Sequence, residues 1–171
     1  ERKGFHRVIE VMPELLKSHP DLVYLIVGGA SAEGNNRLEL EAQVARLGLG
    51  KHVRFLGTRA SSELSAVLCA ANVFVLSTRA EGWANVFLEA MACGLPVVTT
   101  DVGGNREVVS RDELGTIVPF GDSAALRDAI DKALVQPWDA TRIRAYALDN
   151  SWDDRVAVLL KTFSQLARRQ A

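Results

Sequence analysis

The sequence predicts an α/β protein built on a doubly wound, Rossmann-like parallel sheet. Three observations carry that prediction. Five short apolar runs alternate with helical patterns along the chain. The runs are apolar throughout rather than alternating with polar residues, as expected of strands covered on both faces. Glycines follow the ends of several of them, at Gly28-Gly29, Gly57 and Gly103-Gly104. In such sheets ligands bind beyond the carboxyl ends of the strands, where glycine turns let phosphates approach helix N-termini.

The elements follow in order. Phe5, Val8, Ile9, Met12, Leu15 and Leu16 recur at spacings of three and four and predict a first helix, with Pro13 as a point of interruption. Leu22 to Val27 reads as a buried strand ending in Gly28-Gly29. A polar loop through Gly34-Asn35-Asn36 leads to a helix from about Arg37 to Leu47, which Gly48 closes. Val53 to Leu56 is a short strand, Ser62 to Ala70 a helix and Val73 to Leu76 a strand. The loop Ser77 to Ala84 feeds a helix from Asn85 to Cys93, stopped by Gly94. Pro96 to Thr100 is the next strand, and Gly103-Gly104 precedes a short helix through Val109. Thr116 to Val118 is the last strand. Asp122-Ser123 offers an N-cap to the helix Ala124 to Val135, and Pro137 breaks that pattern. Two more helices, about Thr141 to Leu148 and Asp153 to Ala167, end in a solvated Ala167-Arg168-Arg169-Gln170 tail.

Composition narrows the function classes. The chain has 171 residues, 48% hydrophobic and 24% charged, with 20 Lys and Arg against 21 Asp and Glu. That fits one globular domain, and a formal net charge of -1 argues against a general nucleic-acid binder. The longest nearly uninterrupted apolar stretch, Ala66 to Leu76, falls well short of the ~20 residues that span a bilayer. Cys69 and Cys93 sit among Ala, Val, Leu and Met and read as buried thiols, which points to a reducing, cytoplasmic setting. No Asp-x-Asp, P-loop or Gly-x-Gly-x-x-Gly occurs, and His6, His19 and His52 lack metal-ligand spacing, so no metal site is expected. The chain opens Glu1-Arg2-Lys3-Gly4-Phe5 with no strand before its first helix and reads as a piece of something longer.

The residues with chemistry lie around one turn. In Val86-Phe-Leu-Glu-Ala-Met-Ala-Cys93 the lone charge is Glu89, on a helix whose two faces both read as buried. It is either an edge carboxylate reaching solvent, a structural ion pair, or a ligand-facing group. Before it, Glu81-Gly82-Trp83-Ala84-Asn85 joins a buried strand to that helix. Gly82 permits a sharp turn, and the amides near Ala84, Asn85 and Val86 become the free donors of a helix N-terminus, suited to an anion. Glu81 reads as a solvated loop residue or as an acceptor for ligand hydroxyls.

Glu81 and Glu89 are separated by seven residues. The stretch Glu81-Gly-Trp-Ala-Asn-Val-Phe-Leu-Glu-Ala-Met-Ala-Cys-Gly-Leu-Pro-Val-Val98, continuing to Val102-Gly-Gly-Asn-Arg-Glu-Val108, resembles the donor-binding, C-terminal half of GT-B glycosyltransferases of family 4, which carry an E-x7-E motif here. The likeness extends back through Val53-Arg-Phe-Leu-Gly57 and Val27-Gly-Gly29 to Lys3-Gly4-Phe5, and forward to Asn150-Ser-Trp152. It therefore covers essentially residues 1–171.

That resemblance implies a retaining, metal-independent transfer of sugar from a nucleoside-diphosphate sugar, with no separate cofactor. It makes Glu81 the contact to donor-sugar hydroxyls and Glu89 the contact to the ribose. Lys3 would neutralise the diphosphate as charge develops on the leaving group. The backbone at Asn85 and Val86, in a loop with Gly82, Trp83 and Ala84, would hold diphosphate and sugar. Gly28 and Gly29 would line the phosphate pocket, and Arg59 and Leu64 would border the base. The implied partner is an N-terminal acceptor-binding domain outside this chain, to which any peripheral membrane contact would fall.

Two departures stand out. Many members read Glu-Gly-Phe-Gly where this chain has Glu-Gly-Trp-Ala, so the methyl of Ala84 is expected to crowd the sugar. The family also places an Arg before the Lys-Gly pair, on a first strand that these residues lack. Two other readings share the fold: a module that binds a nucleotide-sugar without turnover, and a nucleotide-sugar epimerase.

Overall fold

The computed structural model describes residues 2–29 and 34–169; Glu1 and Gln170 lie outside them. The order is α1 (Phe5–Ser18), β1 (Tyr24–Val27), α2 (Arg37–Arg46), β2 (Val53–Gly57), α3 (Ser61–Cys69), β3 (Phe74–Leu76) and α4 (Asn85–Ala92). Then come β4 (Val97–Thr100), α5 (Asn105–Val108), β5 (Gly115–Val118), α6 (Ser123–Val135), α7 (Ala140–Asp149) and α8 (Trp152–Arg169). The α/β alternation read from the sequence is therefore the fold, with most boundaries within one or two residues.

Every strand pair is parallel. The strands form two hydrogen-bonded pieces, β1-β2 and β3-β4-β5, with β4 central in the second. In β4 the consecutive residues Val97 and Val98 are both fully buried yet belong to different clusters. Successive strand side chains point to opposite faces. Val97 packs with Phe87, Met91, Val108 and Ile143 on the α4, α5 and α7 side, and Val98 with Val8, Leu15, Leu126 and Ile130 on the α1 and α6 side. Both faces are thus covered by helices, which is why the sequence of this strand has no polar alternation.

Helix α1 spans the two pieces. Val8, Val11 and Leu15 join the cluster of β4, β5 and α6, whereas Ile9 and Met12 join Ile26, Leu40, Val44 and Val53 of the β1-β2 piece. Two buried stripes on one helix explain why it runs through Pro13 instead of breaking there. Proline removes one helical hydrogen bond, but tertiary packing from both sides holds the segment. His19 fastens its C-terminal end to α6 through a 2.8 Å contact of Nε2 with Asp131 Oδ1. His52 Nδ1 lies 3.0 Å from the Leu22 carbonyl. The expected cap of α6 is present, Asp122 accepting from the Ala125 amide at 2.8 Å. Asp139 caps α7 in the same way, accepting from Thr141 and Arg142 at 3.1 Å.

Two sequence expectations are corrected. Helix α4 is not buried all round: Asn85, Glu89 and Ala92, spaced by four and three, form an exposed stripe. The small Ala92 hid that stripe from a count of apolar residues. Nor are both thiols buried, for Cys69 is exposed and Cys93 half-buried. On α3 only Leu68 is fully buried, so Cys69 at its end is left on the open face. Helix α8 carries a row of exposed apolar side chains, Trp152, Val156, Leu159, Phe163 and Leu166. No helix among the described residues is long and apolar enough to cross a membrane.

Candidate functional site

The site is assembled where the segment before α1 lies against the loop after β3. The Arg2 carbonyl accepts hydrogen bonds from the Arg79 amide at 2.9 Å and from Thr78 Oγ1 at 3.0 Å. Ser77 Oγ donates to the Gly4 carbonyl at 2.7 Å, and Arg7 Nη1 to the Ser77 carbonyl at 3.1 Å. Gly4 has φ 75, and a Cβ there would lie 1.9 Å from the Ser77 carbonyl oxygen. Only glycine allows both that backbone and that approach, so Lys3-Gly4 is a pair in which the glycine seats the lysine.

Seated in this way, Lys3 Nζ donates to Glu81 Oε1 at 2.6 Å. The Glu81 side chain is 9% exposed and that of Lys3 41%. Thr78 Oγ1 lies 3.2 Å from the same Glu81 oxygen. Glu81 is therefore not a solvated loop residue: it is a nearly buried carboxylate with a cationic partner, as a buried charge requires.

A second glycine pair holds the loop from the other side. A Cβ on Gly103 would fall 1.7 Å from the Glu81 carbonyl oxygen, and one on Gly104 2.3 Å from that of Gly82. Gly103 also has φ 50. The Gly104 amide donates to the Gly82 carbonyl at 3.1 Å. Beneath, Asn105 Nδ2 donates to Thr99 Oγ1 at 3.1 Å and to the Thr100 carbonyl at 2.9 Å. Thr99 Oγ1 in turn donates to the Leu76 carbonyl at 2.8 Å. This buried hydroxyl and amide network ties the carboxyl ends of β3 and β4 together. An open cavity of about 250 Å³ lies above it, lined by Arg2, Arg79, Ala80, Glu81, Gly82, Val102 and Gly103. Two guanidinium side chains, one carboxylate and glycine backbone make walls suited to a polar, anionic ligand.

The other expected residues take separate places. Trp83 packs half-buried on the core, and the Arg155 guanidinium stacks 4.1 Å from its ring centroid. Ala84 is 5% exposed and belongs to the core cluster. Asn85 is exposed and Val86 half-buried in the first turn of α4, where backbone amides have no intrahelical acceptor. Glu89, one turn on, is exposed and makes no ion pair among the described residues. Of its three readings from the sequence, the structural ion pair has no partner among the described residues.

Gly28 and Gly29 are exposed at the carboxyl end of β1. Among the described residues a Cβ on Gly28 would meet nothing within 4 Å, and one on Gly29 only the Thr58 side chain, with Oγ1 at 2.5 Å. Arg59 Nη1 lies 3.5 Å from Glu63 Oε1, and Leu64 packs against the core. None of these, nor Glu89, is in the wall of the cavity beside Glu81. Arg2, Arg79, Gly103 and the hydroxyls of Ser77 and Thr78 escaped the sequence reading. Only the Gly103-Gly104 pair carried a signal, as a glycine turn after a strand. Among the described residues no three His, Cys, Asp or Glu side chains are grouped to hold a metal ion.

Comparison with known proteins identifies the family. The family model for glycosyl transferases group 1 matches residues 1–149. A D-inositol 3-phosphate glycosyltransferase of Corynebacterium jeikeium is 34% identical over 96% of this chain and 41% of its own length. A GDP-mannose-dependent alpha-(1-6)-phosphatidylinositol monomannoside mannosyltransferase of Mycolicibacterium smegmatis is 36% identical over 99% and 46%. Among solved structures, sucrose-phosphate synthase from Thermosynechococcus elongatus superposes with TM-score 0.79 at 30% identity, covering 98% of this chain and 43% of that one. HepE from Anabaena, in complex with UDP and glucose, gives 0.77 at 27% identity over 98% and 45%. The chain thus spans less than half the length of these relatives. It belongs to the group 1 family of glycosyl transferases, with the Rossmann-like parallel-sheet fold of GT-B enzymes.

Proposed function

We propose that this chain is the donor-binding half of a retaining, metal-independent glycosyltransferase, which takes a sugar from a nucleoside-diphosphate sugar. The observation that carries the reading is the Lys3–Glu81 contact of 2.6 Å between residues 78 positions apart. An ammonium and a nearly buried carboxylate side by side suit a ligand whose diphosphate and sugar hydroxyls are adjacent. In the proposal Lys3, with Arg79 nearby, stabilises negative charge on the departing diphosphate, and Glu81 accepts from sugar hydroxyls. Gly82, Trp83 and Ala84 shape the loop, the Asn85 and Val86 amides complete the anion site, and Glu89 holds the ribose. Gly28 and Gly29 line the phosphate pocket, with Arg59 and Leu64 beside the base. The chemistry is positioning plus electrostatic stabilisation, with no covalent step assigned to the protein.

The acceptor would be held by a second, N-terminal domain, the whole enzyme being cytoplasmic with any membrane contact on that other half. Two features support a half-enzyme. β1, β2, β3 and β5 each have an unpaired edge among the described residues, open to a further strand. The exposed apolar row on α8 suits contact with another body of protein. In isolation the chain would then bind a nucleotide-sugar with little or no turnover, a reading favoured by its length relative to its relatives.

Glu81→Ala in the full-length enzyme tests the reading. Transfer should be abolished, with affinity for nucleoside diphosphate, read by calorimetry, changed little. Unchanged turnover would remove Glu81 from the site. A panel of nucleoside diphosphates that leaves the thermal midpoint of this chain unmoved would overturn donor binding itself.

A further inference from the structure

The packing of α3 on α4 sets the two cysteines beside one another. Cys93, the C-cap of α4, has its Sγ 3.9 Å from the Ser65 carbonyl oxygen. Ser65 is one turn before Cys69 on α3, and in an α-helix that carbonyl accepts from the amide four residues on, which here is Cys69. The Cys93 sulfur therefore sits over the turn that bears Cys69, and the Cys69 thiol is close enough to push the Cys93 thiol up. Cys69 is exposed and Cys93 half-buried. We infer that Cys69 and Cys93 form a reversible intramolecular disulfide that staples the C-terminal end of α3 to that of α4.

The bond would close a loop holding β3, Ser77, Thr78, Glu81 and all of α4. The Arg2–Gly4 strip, the Gly103-Gly104 turn and the Thr99, Thr100 and Asn105 network lie outside it. Oxidation would therefore stiffen the loop that carries the acid without touching its chemistry. The inference is independent of what the site binds.

The exchange balances with glutathione disulfide as oxidant. The exposed Cys69 thiolate attacks one sulfur of glutathione disulfide, breaks its S–S bond and releases one glutathione thiolate, which takes up a proton. Cys93 then loses its proton and attacks the Cys69 sulfur of the mixed disulfide, forming the Cys69–Cys93 bond and releasing the second glutathione. Two chain thiols are oxidised and one glutathione disulfide is reduced. The thiolate is the reacting form. Burial, and then the neighbouring Cys69 thiol, push the Cys93 thiol up to about 11. Cys69 is accordingly the point of entry and closure by Cys93 the slower step. In a reducing compartment the pair rests as two thiols.

Intact-mass measurement after equilibration in glutathione redox buffer and acid quenching tests the pairing. Wild type should lose two hydrogens and carry no glutathione. C93S should stop at one glutathione adduct on Cys69, and dithiothreitol should restore the reduced mass. A wild-type chain that ends with glutathione on both cysteines, as a Cys69-linked dimer, or unmodified overturns the inference, and that result does not depend on how the variants fold.

Discussion

The turns after β3 and after β1 both lie at carboxyl ends of parallel strands, and they are built in opposite ways. The β3 turn is clamped from two sides by backbone: Gly4 against Ser77, and Gly103 and Gly104 against Glu81 and Gly82. The β1 turn is open toward the described residues. Among them Gly28 has no neighbour within Cβ reach, and Gly29 faces only the Thr58 side chain. The difference teaches how one fold can set a clamped turn and an unclamped one at the ends of its strands. A charged pair that must keep its geometry needs walls that cannot move, whereas a glycine turn in open space can adjust to what it meets.

Substitutions at these glycines break the comparison most sharply. Gly103→Ala puts a methyl into a carbonyl at a left-handed backbone position, and should cost about 2–4 kcal/mol in urea unfolding. Next is Glu89→Ala. Its side chain is exposed, so stability should change by less than about 0.5 kcal/mol. Nucleoside diphosphate affinity, by calorimetry, should nevertheless fall by about 1–3 kcal/mol through the lost charge-assisted hydrogen bonds. Unaltered affinity would confine the acidic chemistry to Glu81. Arg155→Ala removes the cation over Trp83 and should cost about 0.5–1 kcal/mol of thermal stability, with Arg155→Lys restoring part of it. The smallest effect belongs to Gly29→Ala, under about 0.5 kcal/mol, because the Thr58 hydroxyl can rotate away. If Gly29→Ala proved as damaging as Gly103→Ala, the contrast between clamped and open turns would be gone.

The fold was legible because burial on both faces leaves a direct imprint on a parallel strand. Val97-Val98-Thr99-Thr100 is fully buried and reads as a strand without help. Where the pattern overreached, it mistook burial for pairing: the apolar run starts at Leu22, but the ladder starts when the Tyr24 amide meets the His52 carbonyl. Glu81 and Lys3 were legible only through the family resemblance, since nothing local ties residue 3 to residue 81. Arg79 and the Ser77 and Thr78 hydroxyls left no mark. Their importance comes from the strip laid across them from the far end of the chain, and the neighbouring thiols of Cys69 and Cys93 were hidden in the same way.

One bond in that strip has a consequence for how the molecule fluctuates. The Arg79 amide donates to the Arg2 carbonyl, beside Lys3. An amide exchanges its hydrogen with water only while its bond is open. The exchange rate of that single N–H therefore measures how often the strip lifts away and takes Lys3 with it. Without any ligand or substrate, one proton clocks the fraction of time in which the charged pair exists at all.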